Sequence, residues 1–261
     1  MVATHVLVAL VLAAFLAGWV DAVVGGGGLI QLPSLLIGLP ADTPVASVSG
    51  TNKLSSAAGT AIATATYLRK VRVEWRSALP LMVCAWLGAT AGAQLVQLMP
   101  RELFTPVVLV VLLVVGGYTL RRPTLGLNHE LRHQGLAHTG RLVVIGLVTG
   151  VYDGFLGPGT GTFFVISLVA LLGYGFLQAS VLTKLANLTT NVAAITVLGL
   201  SGHVLWGLGG AMALANLSGG FLGARMAIRH GNGFVRRVFL VVLAALVLKL
   251  GWDTAMLTGG R

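Results

Sequence analysis

Apolar runs long enough to cross a lipid bilayer recur from one end of this chain to the other, the longest at residues 5–24, 78–98, 104–120, 205–224 and 234–252. A hydrocarbon core takes about 20 apolar residues of helix to span. The composition agrees: of 261 residues 56% are hydrophobic and only 9% charged, and the mean hydropathy of +0.91 lies outside the range of soluble domains. The chain is an all-α polytopic membrane protein on this evidence. Shorter or interrupted runs at 54–68, 142–156, 162–172 and 192–200 show that continuous spanning helices alone do not account for the pattern. The first run has no basic leader and continues through Asp21 and four glycines without a cleavage pattern, so it is expected to stay in the mature fold. The single cysteine, Cys84, excludes a disulfide framework. The formal charge of +10 is carried largely by short loops between apolar runs, which is a topology signal and not a nucleic-acid surface.

The chain repeats itself. Aligning "GWVDAVVGGGG" with "GVYDGFLGPGTG" pairs Asp21 with Asp153 and Gly25 with Gly157 at an offset of 132. With one gap the offset becomes 131, and Lys53 meets Lys184, Val73 and Trp75 meet Val204 and Trp206, and Gly88 and Gly92 meet Gly219 and Gly223. Such ordered self-similarity divides the chain into a first transmembrane repeat (1–120), a linker loop (121–140) and a second transmembrane repeat (141–261).

Loop charge reverses between the repeats. "RKVRVEWR" (69–76) is strongly basic where its counterpart "SGHVLWG" (201–207) has no Lys or Arg; "RHGNGFVRR" (229–237) is basic where "MPRE" (99–102) is neutral. Under the positive-inside rule, equivalent loops then lie on opposite sides, the mark of inverted repeats. Inversion needs an odd number of crossings per half, and the simplest solution makes each Gly-broken segment a re-entrant hairpin followed by three crossings. The basic loops and the linker would face the cytoplasm of a bacterial inner membrane, with both termini outside. Eight full crossings are the alternative, with one basic loop on the wrong side.

Irregular backbone at membrane depth survives only where it meets protein or a watery cavity. The breaks at Gly25 to Gly28 and Gly157 to Gly161 are therefore candidate cavity walls, where backbone amides and helix N-termini face an anion; the alternative is that the glycines serve close helix packing. Nearby stand intramembrane polar residues: Thr51, Asn52 and Lys53 in one half, Thr183, Lys184, Asn187, Thr190 and Asn191 in the other. A mid-membrane lysine costs about 2.5–3.5 kcal/mol, so two at matched positions imply compensation. Either they serve a substrate, or they snorkel or pair with Asp21 and Asp153; both roles are compatible. Arg225, late in its run, is expected to snorkel. These donors suit an oxyanion, and no ring of acidic residues suggests a cation path. Export of an anion runs down an inside-negative potential, worth about 2.3 kcal/mol per charge per 100 mV.

"GWVDAVVGGGGLIQLPSLL", "SGTNKLSSAAGT", "VRVEW", then "GVYDGFLGPGTGTFF" and "LTKLANLTTN" in that order resemble the TauE/SafE family of sulfite exporters over nearly the whole chain. The resemblance implies a transporter of sulfite, sulfoacetate or related organosulfonates, with a substrate site between the two Gly-containing repeats; another small anion is the alternative. The second copy departs from the first in carrying Pro158 and Thr160. The expected substrate-binding residues are Gly26, Gly27, Gly28, Thr51, Asn52 and Lys53 with Gly159, Thr160, Gly161, Thr183, Lys184, Asn187 and Asn191; Asp21 and Asp153 are expected to be structural or proton-linked. No enzyme activity, cofactor, metal or nucleic acid is expected. The partners are the anion and the bilayer, and a homodimer is left open.

One motif competes. "HELRH" (129–133) matches H-E-x-x-H, with His138 as a third ligand, and would make a membrane zinc metalloprotease with Glu130 as general base. Its setting in a short polar linker argues against this.

Overall fold

The computed structural model describes residues 3–100, 103, 104, 106, 107, 110 and 130–258, and among them the regular structure is entirely helical. Helices α1 (Thr4–Val24), α2 (Gly28–Gly38), α3 (Val45–Leu68) and α4 (Trp75–Leu95) come from the first repeat. From the second come α5 (Gly135–Phe155), α6 (Thr160–Leu172), α7 (Phe176–Leu200) and α8 (Trp206–Thr258), the last bent at Gly231. Among the described residues four segments are long and apolar enough to cross a membrane: Thr4–Val24, Trp75–Leu98, Gly135–Phe155 and Phe176–Leu200. Helix α2, with 11 residues, reaches only about 16 Å, half a bilayer.

The bundle exposes apolar faces and, within a largely apolar core, buries a polar stripe at its centre. Leu12 and Leu16 on α1, Val83 and Leu87 on α4, and Val144 and Val148 on α5 repeat at one-turn spacing and are all more than half exposed. In a soluble protein such faces would be covered; in a bilayer they are already in their solvent. The central helices α3 and α7 instead bury a polar stripe that includes Thr51, Asn52, Lys53 and Ser55 on one and Thr183, Lys184, Asn187 and Thr190 on the other. These two helices extend well beyond the apolar runs at 54–68 and 192–200. Hydropathy misses their first halves because protein, not lipid, surrounds them.

Packing exchanges the repeats. Helix α4 lies against α5 and α7, while α8 lies against α1 and α3, and α3 meets α7 at the centre. Exchanging the halves maps the α4 pairings onto the α8 pairings and the α3–α7 pairing onto itself, and the glycine contacts agree residue by residue. A Cβ on Gly88 would overlap the Leu147 carbonyl, and one on Gly219 the Phe15 carbonyl; Gly92 and Gly223 press likewise on Val151 and Trp19. Small residues let the helix backbones approach this closely.

The connections sort by end. At one end Thr51, near the start of α3, accepts a hydrogen bond from the Leu205 amide (3.0 Å), and Gly50 packs on His203. The other end of α3 carries Arg69 and Lys70, which share a groove with Arg229 and His230 of α8. Here too Glu74 and Ser77 meet His138 and Tyr174. Glu74 and Val204 therefore lie at opposite ends of α3. Helix α5 starts at Gly135, and His138 in its first turn is buried against Ser77 of α4.

Candidate functional site

Both glycine breaks end one helix and begin the next within a few residues. Gly25 (φ 84°) closes α1, and its N–H bonds the Asp21 carbonyl at 2.8 Å. Its counterpart Gly157 (φ 85°) takes the same left-handed conformation, which L side chains adopt only with strain. Helix α2 then opens after Gly27 and α6 after Gly159 (φ 76°). The breaks touch each other: Gly25 and Gly161 are in backbone contact with no room for a Cβ on either, and the Thr162 N–H donates to the Gly25 carbonyl at 3.1 Å. Two half-membrane helices thus begin beside one another at the middle of the bundle.

The lysines meet there, each paired across the repeats. Lys53 Nζ lies 2.6 Å from Asp153 Oδ1, and Lys184 Nζ 2.8 Å from Asp21 Oδ2. Lys184 also donates to the Asp21 carbonyl, while Thr60 reaches Asp21 Oδ2 at 3.5 Å. Neither lysine snorkels; both ammonium groups are sealed inside protein, which is tolerable only because each has an opposite charge at contact distance.

Between the pairs lies a cavity of about 20 Å³, room for about one water molecule. Asp21, Gly25 and Gly28 line it with Asp153, Gly157 and Thr160, three pairs related by the 132-residue offset. Ser56 and Thr60 line it with Asn187 and Asn191, related by 131. Asn52, Lys53 and Gly161 complete the wall. Asn52 Oδ1, Asn187 Oδ1 and Asp153 Oδ2 are buried without a hydrogen-bond partner. Each such group left unpaired costs about 1–3 kcal/mol, and their gathering at one cavity makes it the candidate site. A half-turn of an Asn side chain exchanges its oxygen for its NH2, so Asn52 and Asn187 can also donate.

Of the expected residues, Gly28, Asn52, Lys53, Thr160, Gly161, Asn187 and Asn191 line the cavity together with Asp21 and Asp153. Gly26, Gly27, Thr51, Gly159, Thr183 and Lys184 are not in its wall. Gly27 packs on Ala17 and Asp21. The Thr51 hydroxyl donates to the Ser47 carbonyl (2.7 Å) and accepts from Leu205 at the end of the bundle. Lys184 stands behind Asp21. Ser56 and Thr60 also line the cavity, and the repeat offset points to them as counterparts of Asn187 and Asn191. Gln31 and Asn216 carry no such signal in the sequence. Asn216 Nδ2 donates to Gln31 Oε1 (2.7 Å) and Gln31 Nε2 to the Asn52 carbonyl (3.3 Å), tying α2, α3 and α8 together behind the site.

The competing zinc motif has no support here. His129 lies outside the described residues, and Glu130 to His133 do not form the helical turn that H-E-x-x-H requires. Instead the Glu130 and Arg132 amides bond the Gly173 and Leu172 carbonyls at 2.9 and 3.0 Å. His138 is buried with Nε2 at 3.1 Å from Ser77 Oγ and 3.0 Å from the Tyr174 hydroxyl. Burial pushes the Tyr174 phenol up to about 12, so it stays protonated at physiological pH. No group of metal-ligating side chains occurs among the described residues.

Comparison with known proteins places this arrangement. Residues 10–250 match the family model described as "Sulfite exporter TauE/SafE". A "Probable membrane transporter protein" of Sinorhizobium sp is 35% identical over 95% of this chain and 93% of its own length. One from Haemophilus influenzae is 33% identical over 92% of each chain. "Probable membrane transporter protein YfcA" of Escherichia coli is 30% identical over 97% of this chain and 93% of its own. No solved structure matches significantly.

Proposed function

The chain belongs to the TauE/SafE sulfite exporter family, and from that premise we propose that this membrane transporter exports a small, singly charged sulfur oxyanion, hydrogen sulfite or a sulfonate, through the cavity between the two glycine breaks. The observation that carries the proposal is the cross-pairing of two buried lysines with carboxylates of the opposite repeat, at the point where two helix N-termini converge. Two ammonium and two carboxylate groups sum to zero. The first turns of α2 and α6 each add about half a positive charge, together about one, which suits a monoanion.

A cavity of about 20 Å³ is too small for sulfite, so loading requires rearrangement. An arriving oxyanion competes with Asp153 and Asp21 for the two ammonium groups. Each exchange loosens a bond between the repeats and couples binding to their relative motion, as alternating access demands. Inverted repeats fit this reading: the basic residues Arg69, Lys70, Arg132, Arg225 and Arg229 gather at the end of the bundle opposite the 201–205 loop, and in the bacterial inner membrane that end faces the cytoplasm.

Proteoliposomes test the substrate. Sulfite, sulfoacetate and a carboxylate of similar size are loaded in turn, and efflux is compared with protein-free vesicles. Sulfur-anion flux that vanishes in Lys53→Ala and Lys184→Ala variants is the expected result. Flux of the carboxylate alone, or no flux at all, overturns the substrate assignment.

A further inference from the structure

Away from the central cavity, a groove of about 650 Å³ opens where α3 ends against α8. Arg69 and Lys70 line it from α3, and Arg225, Arg229 and His230 from α8. All five side chains are exposed, and no carboxylate lines the groove. Neither of the described salt bridges involves them. Arg225 and Arg229 stand one helical turn apart on the same face, a repulsive spacing for like charges. Four permanent cations converging without an acidic partner constitute a site for an anion.

The surroundings say which kind. Arg225 lies 4.9 Å from the centroid of the Phe221 ring, one turn further into the bundle along α8. Phe221 and Met226 in the groove, and Leu68 and Leu222 next in sequence to its lining residues, are exposed apolar side chains on α3 and α8. The groove thus sets apolar side chains beside its cations, with Phe221 one turn further into the bundle than Arg225. A free anion would use only the cations; a phospholipid uses both, its phosphate on the arginines and its acyl chains along the apolar side. A second copy of the chain would present the same positive surface and be repelled.

We infer that this groove binds the headgroup of an anionic phospholipid. The bound lipid bridges the first repeat, through Arg69 and Lys70, to the second, through Arg225 and Arg229. It sits next to Gly231 (φ 68°), where the two parts of α8 join, and so ties the repeats together at the end of the molecule remote from the 201–205 loop.

The test uses purified full-length protein in nanodiscs of phosphatidylcholine with or without phosphatidylglycerol. For the native sequence, phosphatidylglycerol should raise the unfolding temperature by about 3 °C or more, and native mass spectrometry should show it retained. The triple variant Arg69→Gln, Arg225→Gln, Arg229→Gln should keep its unfolding temperature in phosphatidylcholine and lose the increment. If that variant does not fold, Arg229→Gln alone should halve the increment. Equal stability of the native protein in the two lipids overturns the inference, as does a variant that retains the full increment. Equal protection by millimolar inorganic phosphate through the same arginines would overturn it in favour of a free-anion site.

Discussion

The two half-sites occupy equivalent places yet are built to different tolerances. Lys53 and Asp153 form a single contact in which both side chains are sealed, 2% and 4% exposed, and Asp153 Oδ2 has no partner. Lys184 holds Asp21 through both its carboxylate and its carbonyl, and Asp21 receives Thr60 and is 15% exposed. The first pair is therefore buried and under-satisfied, the second better bonded and partly open. Around them the repeats differ in chemistry as well: hydroxyls at Ser56 and Thr60 face amides at Asn187 and Asn191. The two halves share a frame and differ in how fully each carboxylate is satisfied.

This contrast is most easily broken at the lysines. Removing one partner of a buried pair costs about 3–5 kcal/mol, and Lys53→Ala should show the full loss because Asp153 has nothing else to bond. Lys184→Ala should cost about 1–2 kcal/mol less, since Asp21 keeps Thr60 and some solvent. Unfolding of the two variants in detergent measures this, and equal losses would remove the distinction between the pairs.

The glycines sharpen it next. Gly25→Ala adds left-handed strain of about 1–2 kcal/mol to the overlap of its Cβ with Gly161, itself worth about 1–3 kcal/mol. Gly161→Ala meets the same overlap at an ordinary φ and should be milder. A reversed order would mean that the breaks do not meet as described. The smallest effect belongs to the polar walls. Ser56→Asn and Asn187→Ser each keep a donor at the cavity, so stability should change by less than about 1 kcal/mol, while the KM for the transported anion shifts. An unchanged KM in both variants would show that these walls do not touch it.

Much of the candidate site is legible in the sequence because of the repeat. Asp21 and Asp153, Lys53 and Lys184, and the two glycine breaks stand out by position, and charged groups in apolar runs are too costly to be incidental. Thr51 and Thr183 looked equally good, being neighbours of the lysines in sequence. On a helix, however, adjacent residues point about 100° apart, and neither lines the cavity. Ser56 and Thr60, one and two turns on from Asn52, share its face and do. Gln31 and Asn216 left no signal, because a polar residue within an apolar run does not disclose its partner 185 positions away.

The sequence by itself determined that this chain lives in a membrane, that it consists of two related halves, and that its breaks and buried charges belong together. Hydropathy, repetition and the cost of charge in lipid are properties of residue order, readable without contacts. Tertiary structure alone decided that each lysine takes the other repeat's aspartate, that the breaks press against one another, and that the pairs differ in strength. Those choices depend on which helix faces pack. That selection rests on glycine-sized clearances between α4 and α5 and between α8 and α1, where one added methyl group would overlap a neighbouring carbonyl.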